Sequence, residues 1–303
     1  MTGMLSHIDA QWAFQAYEAI RGRLPGAHFG AAPVHADSLA AVADRFDVFL
    51  LDAFGVLNVG ERPIPGVPER VDALRAAGKT VIVVTNAASY PFGALRQRYQ
   101  RLGFAFDERS VVSSRMALWA SLPKDGRVWG LMASREYGRD EMPEGAIYLE
   151  EDPAAYDQVD GFLLLGSSGW NETRQSLLEQ ALMRRAREVR VGNPDIIAPR
   201  ETGFSLEPGH YAHRLADAAG IEPLFFGKPF GNVFELVRER IPPGTPDERV
   251  LMVGDSLHTD VLGGRAAGFV TALVTDYGFF AGQDPASSIS DSGIVPDFIL
   301  PRP

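Results

Sequence analysis

The sequence predicts an α/β protein organised around a doubly wound parallel sheet. Three observations lead there. Val48-Phe49-Leu50-Leu51, Val81-Ile82-Val83-Val84 and Val250-Leu251-Met252-Val253 are short apolar runs without alternation, the pattern of strands buried on both faces. Segments with apolar residues at helical spacing lie between such runs. Polar residues follow directly where the runs end, and open α/β sheets bind ligands at that edge. At 303 residues the chain is about twice a common single-domain length, which predicts two domains.

Residues 1–45 read as a helical extension. Ile8, Trp12, Ala13, Tyr17 and Ile20 recur at helical spacing, and Leu24-Pro25-Gly26 supplies a stop. Asp37-Ser38 caps a second short helix with Leu39, Val42 and Phe46 on one face. After the Val48 run come a helix over 67–77, stopped by Gly78, and the Val81 run. The middle has an α/β texture of its own, with strands at 111–112, 127–130, 146–148, 161–165 and 189–191 and a long helix over 171–188. The first rhythm then returns: a strand at 224–226, a helix over 232–240, the Val250 run, a helix through Ala267 and a strand over 270–274. Ala87-Ala88-Ser89-Tyr90-Pro91 and Ala198-Pro199-Arg200-Glu201-Thr202-Gly203 read as linkers.

Composition removes several function classes. The 29 Lys and Arg against 39 Asp and Glu leave a net charge of −10, which argues against nucleic-acid binding and polybasic membrane contact. With no cysteine, disulfides, thiolate metal sites, Fe–S clusters and a Cys nucleophile are all excluded. No apolar run approaches the roughly 20 residues that span a bilayer. No basic residue precedes an apolar stretch at the start of the chain, so the expectation is a soluble, cytoplasmic protein.

The chemistry sits at four strand ends. Asp52 follows the Val48 run, and Gly55 allows the loop after it to turn back toward a ligand. Thr85-Asn86 ends the next run, Lys228 follows Phe226-Gly227, and Asp255 and Asp260 follow Val253-Gly254. Taken singly, each is an ordinary cap or loop charge. Together and in this order they converge on one sheet edge.

This arrangement resembles the haloacid dehalogenase superfamily, with Asp52 at the nucleophile motif, Thr85 at the second, Lys228 at the third and Asp255 with Asp260 at the fourth. The stretch Thr259-Asp260-Val261-Leu262-Gly263-Gly264-Arg265-Ala266-Ala267-Gly268-Phe269 and Gly192-Asn193-Pro194-Asp195 are similar to the class IIA, NagD-like and nitrophenylphosphatase-like branch. The resemblance covers residues 46–278. It implies a Rossmann-like core over 46–88 and 206–303, with an α/β cap domain inserted as residues 89–205. The distance between Thr85 and Lys228, too long for one crossover, agrees with such an insertion.

The family resemblance further implies a magnesium-dependent phosphatase acting on a small phosphorylated metabolite. Asp52, the backbone carbonyl of Phe54 and Asp255 would hold Mg²⁺, which must screen the repulsion between a carboxylate and a phosphoryl group. Lys228, the Thr85 hydroxyl and the Asn86 backbone amide would hold phosphoryl oxygens. Asp260 would orient Lys228 or a metal-bound water. An aspartyl-phosphate at Asp52 would then be hydrolysed. Class IIA relatives associate through the cap, which implies a homodimer. Sugar phosphate, nucleotide, phosphoglycolate and pyridoxal phosphate all remain open as substrates.

One residue departs from the family pattern. The position two after the nucleophile, usually a second aspartate serving as general acid and base, is Phe54. General acid–base help is worth about 10²–10⁴-fold, so the expectation is an enzyme that is slow or specialised for good leaving groups. The alternative is a catalytically weak protein that binds a phosphorylated metabolite through the same cradle. His258 reads first as a solvated loop histidine and second as a substitute acid and base. His210 and His213 read as solvated helix histidines, Ser113 and Ser114 as helix caps, and Gly166-Ser167-Ser168-Gly169 as a strand–helix turn. Asn193-Pro194-Asp195 is placed near the hinge or the pocket roof.

Overall fold

The computed structural model describes residues 8–137, 139–200 and 203–303. Its centre is a seven-stranded sheet in which all pairs run parallel. The strand order is Val34–His35, Phe298–Leu300, Val270–Val274, Val250–Gly254, Val48–Leu51, Thr80–Thr85, Val111–Ser113. The unbroken apolar runs are explained by burial on both faces. Phe49, Leu51, Val83, Leu251 and Val253 pack on one side with Val71, Leu95 and Tyr99. Val48, Leu50, Ile82, Val84, Val250 and Met252 pack on the other with Val233, Phe234 and Val237. Helices Val67–Ala76 and Phe92–Arg101 cover the first face, and helix Gly231–Arg238 the second.

A second sheet of five parallel strands has the order Leu224–Phe225, Glu188–Val191, Gly161–Leu164, Trp129–Met132, Ile147–Tyr148. Helices Glu172–Arg184 and Pro208–Ala219 lie on one face through Leu178, Leu182, Tyr211 and Leu215. The other face packs Trp129, Leu131 and Leu163 against Ala117 and Leu118 of helix Ser114–Ser121.

Strand membership divides the chain at other points than the expected boundaries at 89 and 205. Val111–Ser113 joins the first sheet beside Thr80–Thr85, and Leu224–Phe225 joins the second beside Glu188–Val191. By sheet, the chain leaves the first after Ser113 and re-enters it at Val250. The reason is physical: a run as short as Val111-Val112 carries no mark of which sheet it completes, because that pairing is non-local.

The N-terminal segment contributes more than a helical cover. Helix Ala10–Ala19 is capped by Asp9, whose Oδ1 accepts from the Trp12 N–H at 2.7 Å. It packs through Ala10, Ala13 and Tyr17 on Ile196, Ile197, Leu257 and Val261. Val34–His35 then adds an edge strand beside Phe298–Leu300. Both its residues are exposed, so it has no apolar signature. Glu201 and Thr202 of the expected second linker, and residues 1–7 of the extension, lie outside the described residues. Among the described residues no helix is long and apolar enough to cross a membrane.

Candidate active site

Strand register builds the site. Leu51 is aligned with Val83 on one neighbour and Val253 on the other, so Asp52, Thr85 and Asp255 emerge side by side at the carboxyl edge. Lys228 arrives between the sheets and is almost wholly buried. Its Nζ donates to Asp52 Oδ1 at 2.5 Å and to Asp260 Oδ1 at 2.7 Å. A π-helical turn over Leu257–Val261 brings Asp260 back toward its own strand end, where Oδ2 accepts from the Ser256 N–H at 3.1 Å. Asp255 Oδ2 accepts from the Phe279 N–H at 2.8 Å. Two glycines make room for it. A Cβ on Gly55 would lie 2.4 Å from Asp255 Oδ2 and one on Gly278 1.9 Å from it, and both residues have positive φ, +81° and +72°.

Asn86 works through its side chain. Its Oδ1 accepts from the Lys228 N–H at 2.8 Å, and its Nδ2 donates to Lys228 O at 2.9 Å and to Asp195 Oδ1 at 2.8 Å. This clamp fixes the backbone from which Lys228 reaches the carboxylates. The Thr85 hydroxyl accepts from the Ala87 N–H at 3.2 Å.

The electrostatics point to a cation. Carboxylate oxygens of Asp52, Asp255 and Asp260 lie within 4.8 Å of one another around the single ammonium of Lys228. Burial raises the Asp52 carboxyl to about 6, against the pull of Lys228 and with Asp260 adding to the rise. Burial, then Asp260 and Asp52, pushes Asp255 well above the usual carboxylate range. Burial opposes the charge on Lys228, but the Asp260 and Asp52 carboxylates outweigh it and hold the ammonium up. The result is a buried, oxygen-only donor set with uncompensated negative charge. That suits a hard divalent ion such as Mg²⁺.

Two cavities meet here. The smaller, about 40 Å³, includes Tyr17, Asp52, Lys228, Asp255 and Ser256 in its lining. The larger, about 310 Å³, includes Thr85, Asn86, Ser89, Tyr90, Ser134, Tyr137, Ser167 and Ser168 in its lining. Asp52, Phe54, Asp195 and Ala198 line both. The half-buried Phe54 ring lies 5.0 Å from the Arg98 guanidinium and 5.9 Å from that of Arg200.

The structure therefore gathers Asp52, Thr85, Asn86, Lys228, Asp255 and Asp260 at one place, with Phe54 beside them. It corrects the reading of three histidines. His258 is buried, stacked on Tyr17 at 4.9 Å with its Nε2 2.6 Å from Glu18 Oε1, and it lines neither cavity. Burial lowers its pKa. His213 is buried and stacked on Phe225 at 4.7 Å, and His210 is half-buried beside Trp12. Ser113 caps its helix by accepting from the Met116 N–H at 3.3 Å. Ser167 and Ser168 do more than form a turn, since both face the larger cavity.

Sequence reasoning passed over Tyr17 and gave Asp195 no chemical role. Tyr17 reaches the smaller cavity from the N-terminal helix, its hydroxyl accepting from the Ile196 N–H at 3.1 Å. Nothing in a helix repeat distinguishes it from a core tyrosine. Asp195 did leave a signal, because Gly192-Asn193-Pro194-Asp195 follows the strand Glu188–Val191 directly, at the ligand-binding edge of the second sheet.

Comparison with known proteins places the chain among related sequences and folds. A model of haloacid dehalogenase-like hydrolases matches residues 49–138, and a second model of HAD-hydrolase-like proteins matches residues 225–301. Chronophin of Bos taurus is 30% identical over 254 residues, covering 78% of this chain and 83% of the relative. Glycerol-3-phosphate phosphatase of Homo sapiens is 30% identical over 296 residues, covering 88% and 91%. A crystal structure from Cytophaga hutchinsonii, described as a possible sugar phosphatase of the HAD superfamily, superposes with a TM-score of 0.76 at 27% identity, covering 88% of this chain and 97% of the other.

Proposed function

The chain belongs to the haloacid dehalogenase-like hydrolase family, and on that premise we propose that it hydrolyses the phosphate ester of a small metabolite through an aspartyl-phosphate at Asp52. The observation that carries this reading is the placement of Asp52. Its carboxylate lies where the two cavities meet, held by Lys228 at 2.5 Å and clustered with Asp255 and Asp260.

Each residue then has a task. The Asp52 carboxylate attacks phosphorus while the leaving-group oxygen departs toward the larger cavity. Lys228 and the Thr85 hydroxyl hold phosphoryl oxygens, and Lys228 also keeps the nucleophile in position. Asp260 orients Lys228, and Asn86 fixes the backbone on which that lysine stands. Asp52, the backbone carbonyl of Phe54 and Asp255 would hold Mg²⁺, whose contribution is to screen the repulsion between carboxylate and phosphoryl oxygens. Water then releases phosphate from Asp52.

Phe54 is what favours the second reading, a catalytically weak binder of the same ligand. Phosphate release measured across a panel of phosphorylated metabolites with Mg²⁺, for wild type beside Asp52→Asn, separates the two. Release by the wild type alone supports the hydrolase. Equal release by both proteins on every substrate sinks it.

A further inference from the structure

We propose that Asp195 is the general acid and base of this reaction, delivering a proton to the leaving oxygen and later taking one from water. The inference rests on the phosphatase reading above.

Departure of an alkoxide needs a proton, and its donor must reach the boundary between the phosphoryl site and the space that holds the leaving group. Among the described residues, Asp52, Phe54, Asp195 and Ala198 line both cavities. Phe54 and Ala198 carry no proton to give. Asp52 is the nucleophile and is bonded to Lys228. Asp195 is left.

Its surroundings suit the task. Oδ1 is anchored by the Asn86 amide at 2.8 Å, and Oδ2 has no hydrogen-bond partner among the described residues. The residue is half-buried, with both cavities against it. Burial pushes its carboxyl up to about 8, against the Asn86 donor and the Lys228 ammonium, so both protonation states are accessible near neutral pH. The other acids nearby are committed or misplaced. Glu207 accepts from Arg200, Ser205 and Asn193, and Glu136 lines the larger cavity alone. His258 faces Glu18 and Tyr17 and lines neither cavity.

The proton balance closes within the chain and its substrates. As the bond between Asp52 and phosphorus forms and the ester bond breaks, the Asp195 proton passes to the leaving oxygen and an alcohol is released. The Asp195 carboxylate then takes a proton from water while the water oxygen bonds to phosphorus. The bond to Asp52 breaks, and inorganic phosphate leaves a restored enzyme.

The test compares wild type, Asp195→Asn, Phe54→Asp and the double variant on a glycerol phosphate and on p-nitrophenyl phosphate, with Mg²⁺ and with Asp52→Asn as the blank. Asn at 195 keeps an oxygen for the Asn86 amide, and matching thermal midpoints establish that the variants fold. The expected result is a fall of about 10²–10⁴-fold in kcat on the alkyl ester for Asp195→Asn, with KM little changed. First-turnover release of nitrophenolate, a good leaving group, falls less than tenfold, and phosphorylated enzyme accumulates by intact mass. Phe54→Asp raises alkyl turnover at least tenfold more in the Asp195→Asn background than in wild type. Alkyl kcat within twofold of wild type overturns the proposal. So does an equal loss on both esters with neither accumulation nor rescue, which marks a residue that only props Asn86. A wild type that releases no phosphate from either ester removes the phosphatase reading itself.

Discussion

Replacing Lys228 by Met tests the charge arrangement on which the site depends. The substitution keeps most of the stem and deletes an ammonium that is 2% exposed and bonded to two carboxylates, at 2.5 and 2.7 Å. A unit-charge pair at this range is worth about 6 kcal/mol at an effective dielectric of 20. Removing one partner of a buried pair costs about 3–5 kcal/mol, because the remaining charge is left uncompensated. Two pairs are broken here, yet the cost does not double, since Asp52 is already raised to about 6 and protonation relieves the repulsion. We therefore expect a loss of about 3–5 kcal/mol at pH 8 without divalent ions. Loss of the cation raises the native Asp52 carboxyl further above its unfolded value. The native state then binds more protons than the unfolded one, and stability falls as pH rises. The penalty should accordingly be smaller at pH 5 than at pH 8. Urea unfolding of both proteins at the two pH values measures it. A loss under about 1 kcal/mol at pH 8, or a penalty that grows on acidification, would refute the reasoning.

Other perturbations probe separate parts of the molecule. Gly278→Ala forces a Cβ into Asp255 Oδ2 at a φ of +72°. It should cost about 1–2 kcal/mol for the left-handed backbone alone and abolish the thermal stabilisation that Mg²⁺ is expected to give the wild type. An undiminished Mg²⁺ response would remove Asp255 from the ion site. His213 is held neutral at a pKa of about 4, by burial first and the nearby Arg23 second. Its folded pKa is depressed, so its contribution is complete above about 6.5 and is lost as pH falls toward 4. Relative to His213→Phe, wild type should lose up to about 3 kcal/mol between pH 7 and pH 4. Parallel stability profiles for the two proteins would show that this histidine does not matter. The leaving-group dependence of Asp195→Asn belongs with these, since it alone reports on proton transfer.

The edge that carries the candidate site could be read in the sequence because a strand buried on both faces is written as an uninterrupted apolar run. The residue ending such a run must then sit at the sheet's carboxyl edge. Asp52, Thr85 and Asp255 are placed by that rule, and the register of Leu51 with Val83 and Val253 sets them side by side. What escaped was set by contacts distant in the chain. The environment of His258 comes from Glu18 and Tyr17 on the N-terminal helix, and no local pattern at 258 encodes it. The tie between Asp195 and Asn86 joins the ends of strands in different sheets. Val111–Ser113 and Leu224–Phe225 are too short for composition to choose their partners, and the exposed Val34–His35 strand is held by backbone pairing with Phe298 and Ile299. Phe54 stood out only against a family pattern. The structure adds that its ring is flanked by Arg98 and Arg200 and borders the same two cavities as Asp195.

The central claim is that a phosphoryl group passes through Asp52. Rapid acid quench of the enzyme turning over p-nitrophenyl phosphate with Mg²⁺, followed by intact mass and peptide mapping, tests it most directly. We expect one phosphoryl group per chain on the peptide that contains Asp52, more of it in Asp195→Asn, and none in Asp52→Asn. Steady phosphate release with no phosphorylated peptide in either active protein, and undiminished release by Asp52→Asn, would contradict it.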